Sequence, residues 1–187
     1  MEIYRDRLPE QEDKRFVRIL EKGTKRIEVY SDGACNNTTD KLMGIGVVCY
    51  IDKKCVHRIA EAKGVGTSNE AEWEALLAGM RWVRSMYDVL GRGMEVAFYM
   101  DSRLVIDQYS GMIGANNPRM IPYVREARKM GAELEALLQL QKHEKLWMSW
   151  IPREWNGYAD ELSKEGRQKN YKKRIGKMSN HLKNFDI

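Results

Sequence analysis

Arg26-Ile27-Glu28-Val29-Tyr30-Ser31-Asp32-Gly33-Ala34 is an alternating run that breaks at an Asp-Gly pair. Ile27 and Val29 repeat with period two, so the stretch reads as a strand with one face in a core. Moving outward, residues 36–41 form a polar loop, and Gly44 to Ile51 is an apolar, β-branched run of the kind found in buried strands. Lys54 to Gly66 reads as a third strand, reached through a hairpin turn at Asp52-Lys53-Lys54. Three strands on short links make an antiparallel meander. The period then changes. Ala71, Ala75, Leu76, Gly79, Met80 and Val83 recur at helical spacing, with Asn69 as N-cap and Glu72 three residues later. Glu95 to Met100 is a strand and Ser102 to Tyr109 a short helix closing near Gly111. Ile121, Val124, Ala127, Met130, Leu134, Leu137 and Leu138 mark a long helix from near Pro118. Leu146 to Ile151 is a fifth strand and Asn156 to Arg167 a last helix. The order βββαβααβα predicts an α/β fold: a five-stranded mixed sheet with helices on both faces.

The 187 residues suit one domain with appendages. The expected division is an N-terminal appendage over 1–25, a catalytic domain over 26–167 and a basic C-terminal tail over 168–187. No apolar run approaches a membrane span, and the first residues lack the apolar core of a secretory signal. Cys35, Cys49 and Cys55 have no CxxC spacing, which argues against zinc and against a disulfide framework. A reducing, cytoplasmic location is the expectation. The net charge of +5 permits a polyanionic partner without establishing one. Arg167, Lys169, Lys172, Lys173 and Arg174 crowd into eight positions with Tyr171 among them, a pattern able to contact phosphates or simply to stay solvated. Of the five tryptophans, Trp155 lies in a polar loop and is the one expected to be exposed.

Asp32 and Asp101 fall at the ends of strands, while Glu72 and Asp160 fall at the starts of helices. Each has an ordinary role when taken singly: a turn residue, a cap, a capping-box partner, a favourable charge in a first turn. Ligands of open α/β sheets collect at the carboxyl ends of strands, near a topological switch. If strands one and four are parallel neighbours, Asp32 and Asp101 lie side by side there. A cluster of carboxylates is costly unless hard cations fill it.

The order and context of these acids resemble the ribonuclease H family over residues 26–166. The resemblance rests on Tyr30-Ser31-Asp32-Gly33-Ala34 and on Gly44-Ile45-Gly46. It continues through Thr67-Ser68-Asn69-x-Ala71-Glu72 and Asp101-Ser102-Arg103-Leu104-Val105, and ends with Trp150-Ile151-Pro152-Arg153-Glu154-x-Asn156-x-x-Ala159-Asp160. It looks like the compact archaeal-type branch. The family implies endonucleolytic hydrolysis of the RNA strand of an RNA–DNA hybrid by a monomer using two Mg²⁺ ions, with Mn²⁺ able to substitute. Asp32, Glu72, Asp101 and Asp160 are then both catalytic residues and metal ligands. Asp32 would bridge the ions, Glu72 and Asp101 would hold the one nearer the leaving group, and Asp160 the other. Gly33, Ala34, Asn36, Ser68, Asn69 and Arg103 would face the minor groove and Thr67 a phosphate, while Arg153 is either an electrostatic group near product release or a surface salt-bridge residue. The chain departs from the family in the loop Asn36-Asn37-Thr38-Thr39-Asp40, in Arg103 where a glutamine is common, and in lacking a histidine loop and a basic protrusion. The rival readings are a same-fold nuclease for double-stranded RNA or branched DNA, and a non-catalytic nucleic-acid-binding domain.

Overall fold

The computed structural model describes residues 25–36, 38–90, 94–139 and 145–183. Strand β1 (Lys25–Cys35) is followed by β2 (Leu42–Ile51), β3 (Lys54–Val65), helix α1 (Ser68–Leu90), β4 (Met94–Met100), α2 (Arg103–Ser110), α3 (Ile121–Gln139), β5 (Lys145–Trp150) and α4 (Gly157–Lys183). A single 3-10 turn, Arg153–Trp155, links β5 to α4. The order across the sheet is β3-β2-β1-β4-β5. β1–β2 and β2–β3 are antiparallel, while β1–β4 and β4–β5 are parallel, giving the expected mixed sheet. The meander turns at Asp52 and Lys53, both with positive φ, as a tight two-residue hairpin of matching twist requires.

Side-chain parity along β1 sorts the two faces. Ile27 and Val29 enter a core with Trp73, Leu76 and Met80 of α1, Phe98 of β4, and Val124, Ala127, Leu134 and Leu138 of α3. Tyr30 points the other way and packs with Val48, Ile151, Ala159 and Leu162 under α4. Asp32 shares Tyr30's parity, so the chain aims it at α4. Two glycines set the height of the helices above the sheet. A Cβ on Gly46 would strike the backbone of Ala159 and Ser163, and one on Gly33 the backbone of Ala71 and Glu72. Their missing side chains bring α4 and α1 down beside Asp32.

Two expectations are corrected. The cap of α1 is Thr67, not Asn69. Thr67 Oγ1 accepts from the Glu70 amide at 3.2 Å, and Glu70 Oε2 accepts from the Thr67 amide at 2.7 Å. Glu70 therefore completes the capping box and Glu72 is released from it. The last helix also does not stop at Arg167 but continues to Lys183. Asn170 explains the continuation: its buried amide donates to Met43 O at 2.9 Å and Gly64 O at 2.6 Å, tying α4 to β2 and to the end of β3. Of the expected appendage over 1–25, residues 1–24 lie outside the described residues and Lys25 opens β1.

Candidate active site

The paired register of β1 and β4 ends with Tyr30 opposite Tyr99, whose rings stack at 4.8 Å. Asp32 and Asp101 each lie two residues further on. They emerge side by side at the carboxyl ends of adjacent parallel strands, where the connections leave in opposite directions. α1 brings Glu72 against the strand end: the Gly33 amide donates to its Oε2 at 3.2 Å. α4 brings Asp160 and Ser163. All four sequence-predicted carboxylates thus belong to one site.

Each is held by a neighbour. Asp32, only 5% exposed, accepts from the Ser163 hydroxyl at 2.5 Å. Asp101 accepts from Asn156 Nδ2 at 2.6 Å, and the same amide donates to Ser31 O at 2.9 Å. Asp160 accepts from Arg153 at 2.9 Å and is also paired with Lys164. Ser163, Asn156 and Lys164 were not singled out by the sequence. Their signal was spacing: Asn156 lies one turn before Asp160, and Ser163 and Lys164 one turn after, on the same helical flank.

Burial first, and charge crowding after it, raise the carboxyls of the two buried members. Burial pushes the Asp32 carboxyl up to about 6, with Asp101 and Asp160 adding to the rise and the Ser163 hydroxyl opposing it. Glu72 is raised as well, first by burial and then by the charges of Asp32 and Asp101, while the Gly33 amide opposes. A hard cation would reverse both shifts. Among the described residues no group of three or more His, Cys, Asp or Glu side chains is arranged, as it stands, to hold a metal ion. The all-oxygen donor set instead suits Mg²⁺, which takes one or two carboxylates per ion and retains waters. Asn156 Oδ1, buried and unpartnered beside Asp101, adds a further oxygen acceptor.

The expected substrate residues lie on the segments that flank the four carboxylates. Cys35 Sγ contacts Gly66 O at 3.3 Å, so the segment from Gly33 through Ala34 to Asn36 runs next to the start of α1. Ser68 and Asn69 are exposed there. The Thr67 hydroxyl, by contrast, is engaged with the Glu70 carboxylate at 2.8 Å, and Asn36 Oδ1 accepts from the Leu42 amide at 2.6 Å, which closes its loop. Arg103 is exposed, 3.5 Å from Asp107, with its guanidinium 5.7 Å from the Trp150 ring centre. Trp150 is the exposed tryptophan, at 43%. The expectation for Trp155 is corrected, because that ring packs against the cluster under α4.

A carboxylate centre at the switch point of this sheet defines a class of hydrolytic nucleases. The RNase H family model matches residues 24–168, and the chain belongs to that family. It is 30% identical over 111 residues to the bifunctional protein Rv2228c of Mycobacterium tuberculosis, covering 57% of this chain but 26% of that protein. Solved structures agree in fold. RNase H1 of the archaeon Halobacterium salinarum is 26% identical with a TM-score of 0.62, covering 75% of this chain and 96% of that one. LC11-RNase H1, from a compost metagenome, is 30% identical with a TM-score of 0.65 in its complex with an RNA/DNA hybrid, covering 76% and 97%. No helix among the described residues is long and apolar enough to cross a membrane.

Proposed function

We propose that this protein is an endoribonuclease that hydrolyses the RNA strand of RNA–DNA hybrids with two Mg²⁺ ions, Mn²⁺ being able to substitute. The observation that carries the reading is the meeting of Asp32, Glu72, Asp101 and Asp160 at one strand edge, two of them with raised carboxyls that a cation would return to the charged form. The family membership and the hybrid bound by the LC11 relative support the substrate. These four carboxylates would hold the ions. Such a pair stabilises charge on the attacking and leaving oxygens of an in-line displacement and lowers the pKa of water.

The chain's own residues supply position. Ser163 fixes the rotamer of Asp32, and Asn156 fixes Asp101 relative to the backbone of β1. Arg153 and Lys164 balance the charge of Asp160, which must give up part of those contacts to ligate a cation. On the nucleic-acid side, the backbone from Gly33 to Asn36 with Ser68, Asn69 and Arg103 would read 2′-hydroxyls in the minor groove, the feature that separates RNA from DNA. Thr67 would serve a phosphate through its place at the start of α1, and Arg153 would meet the product strand. A purely binding role gains nothing from a negative cluster facing a polyanion.

The test is cleavage of an end-labelled hybrid with Mg²⁺, with Mn²⁺ and in chelator, for the wild type and Asp101→Asn. Cleavage that needs the cation and is nearly lost in Asp101→Asn, with an unchanged circular dichroism spectrum, is the expected result. Full activity in chelator or in the variant overturns the reading.

A further inference from the structure

The helix that carries Asp160 continues past the site, and its sequence places a basic, aromatic-interleaved stripe in line with that carboxylate. Asp160, Lys164, Arg167, Tyr171 and Arg174 are spaced four, three, four and three residues apart, which puts them on one helical face. The acidic residues of this half, Glu161 and Glu165, lie on another flank, where Glu165 pairs with Lys169 at 2.7 Å. The direction of the stripe follows from the packing. Ala159 and Ser163 sit over Gly46, Ser163 and Arg167 over Gly44, and Asn170 bonds Met43 O. α4 therefore runs along β2 toward its start, beside the end of β1. Arg167 donates to Cys35 O at 3.5 Å, and Arg174 reaches Asp40, in the loop after β1, at 2.9 Å. The stripe thus borders the loop that leads on from Gly33 and Asn36. Lys164, Tyr171 and Arg174 are 50%, 53% and 45% exposed.

We propose that this face of α4 is a backbone-tracking contact for the nucleic-acid duplex, extending the substrate surface away from the carboxylate centre. The proposal rests on the reading of the site as a hybrid nuclease. Asp160 and Arg174 are fourteen residues apart. At about 1.5 Å per residue the stripe is ~21 Å long. Phosphates follow one another every ~3.4 Å along one strand's axis, so it faces on the order of six. Arg167 and Arg174 supply charge and Tyr171 an aromatic surface for a sugar or an unpaired base. Arg174 would exchange Asp40, a surface partner worth little in water, for a phosphate. Lys173, on the opposite flank, carries the same charge but does not face the track.

Truncation is a poor test, because removing residues from Gln168 onward also removes the buried Asn170. The test is binding of a fluorescent hybrid in an Asp101→Asn background at several salt concentrations, with Arg174→Gln, Tyr171→Ala and Lys173→Gln added singly and the melting temperature measured for each. Arg174→Gln should raise Kd several-fold and lower the log–log salt slope by about 0.9. Tyr171→Ala should raise Kd with the slope unchanged, and Lys173→Gln should change neither. The first two effects should vanish on hybrids trimmed on the α4 side of the scissile phosphate. A slope unchanged by Arg174→Gln, or lowered equally by Lys173→Gln, means an ordinary solvated face and overturns the proposal. If the wild type cleaves no hybrid, the proposed function falls, while the salt slope still reports on the stripe.

Discussion

Asn156 holds the Asp101 carboxylate and a strand carbonyl with one amide, and it does so while buried. Asn156→Ala leaves Ser31 O without its donor, at a cost of about 1–3 kcal/mol. It also frees Asp101, so if Asp101 holds a cation as proposed, activity should fall by about 10–100-fold, the usual penalty for losing a residue that orients a metal ligand. A thermal melt and a kcat measurement on the same preparation check both halves, and an unchanged kcat would mean that Asp101 needs no such support. Asp32 yields a pH prediction. Its folded carboxyl lies near 6, above its ordinary value of 3.8. The folded state therefore holds the proton more tightly. The stability this gives is complete below pH 3.8 and is lost as the pH rises through about 6. In chelator, the wild type should gain about 2 kcal/mol relative to Asp32→Asn on going from pH 7 to pH 4.5, and saturating Mg²⁺ should remove the difference at pH 7. Denaturant melts at the two pH values read it; parallel curves for the two proteins would contradict the effect of burial and neighbouring charge on Asp32.

Capping separates two residues at the start of α1 that the sequence alone could not. Thr67→Ala removes a capping-box hydroxyl and should cost about 0.5–2 kcal/mol. Asn69→Ala, exposed and outside the cap, should shift the melt by no more than about 0.5 kcal/mol yet lower hybrid cleavage. Equal losses of stability in the two variants would put the cap back at Asn69. The same comparison shows what was legible. Asn69 and Glu72 have the right residue types and spacing for a capping box, and so do Thr67 and Glu70; local chemistry does not choose between them. The choice is tertiary, because Glu72 is drawn to the Gly33 amide across 39 residues of chain. The strands were legible because β1 alternates and β2 is apolar throughout. The extent of α4 was not, because its distal half has weak apolar periodicity and is anchored by a polar residue, Asn170, whose partners on β2 and β3 have no local signature.

At the scale of the whole molecule, the sheet order follows from one expectation: β1 and β4 as parallel neighbours. That pairing set Asp32 beside Asp101, and α1 and α4 then added Glu72 and Asp160. The four carboxylates were readable from order and context because Asp32 lies near the end of an alternating strand, Asp101 follows a strand, and Glu72 and Asp160 lie in the opening turns of helices. Asn156, Ser163 and Lys164 carry only their spacing from Asp160 as a signal, and the fold is what turns that flank of the helix toward the site. The proposed function requires that this centre work on ribose-containing strands paired with DNA. Residues such as Ser68, Asn69 and Arg103 would bring the phosphate into line through contacts to 2′-hydroxyls, and a misplacement of about 1 Å can cost around a hundredfold in rate. The most direct measurement is the cleavage rate, in Mg²⁺, of one labelled strand presented as RNA and then as DNA of the same sequence, each paired with the same DNA complement. Cutting of the RNA strand alone is the expected result. Comparable cleavage of the all-DNA duplex would contradict it.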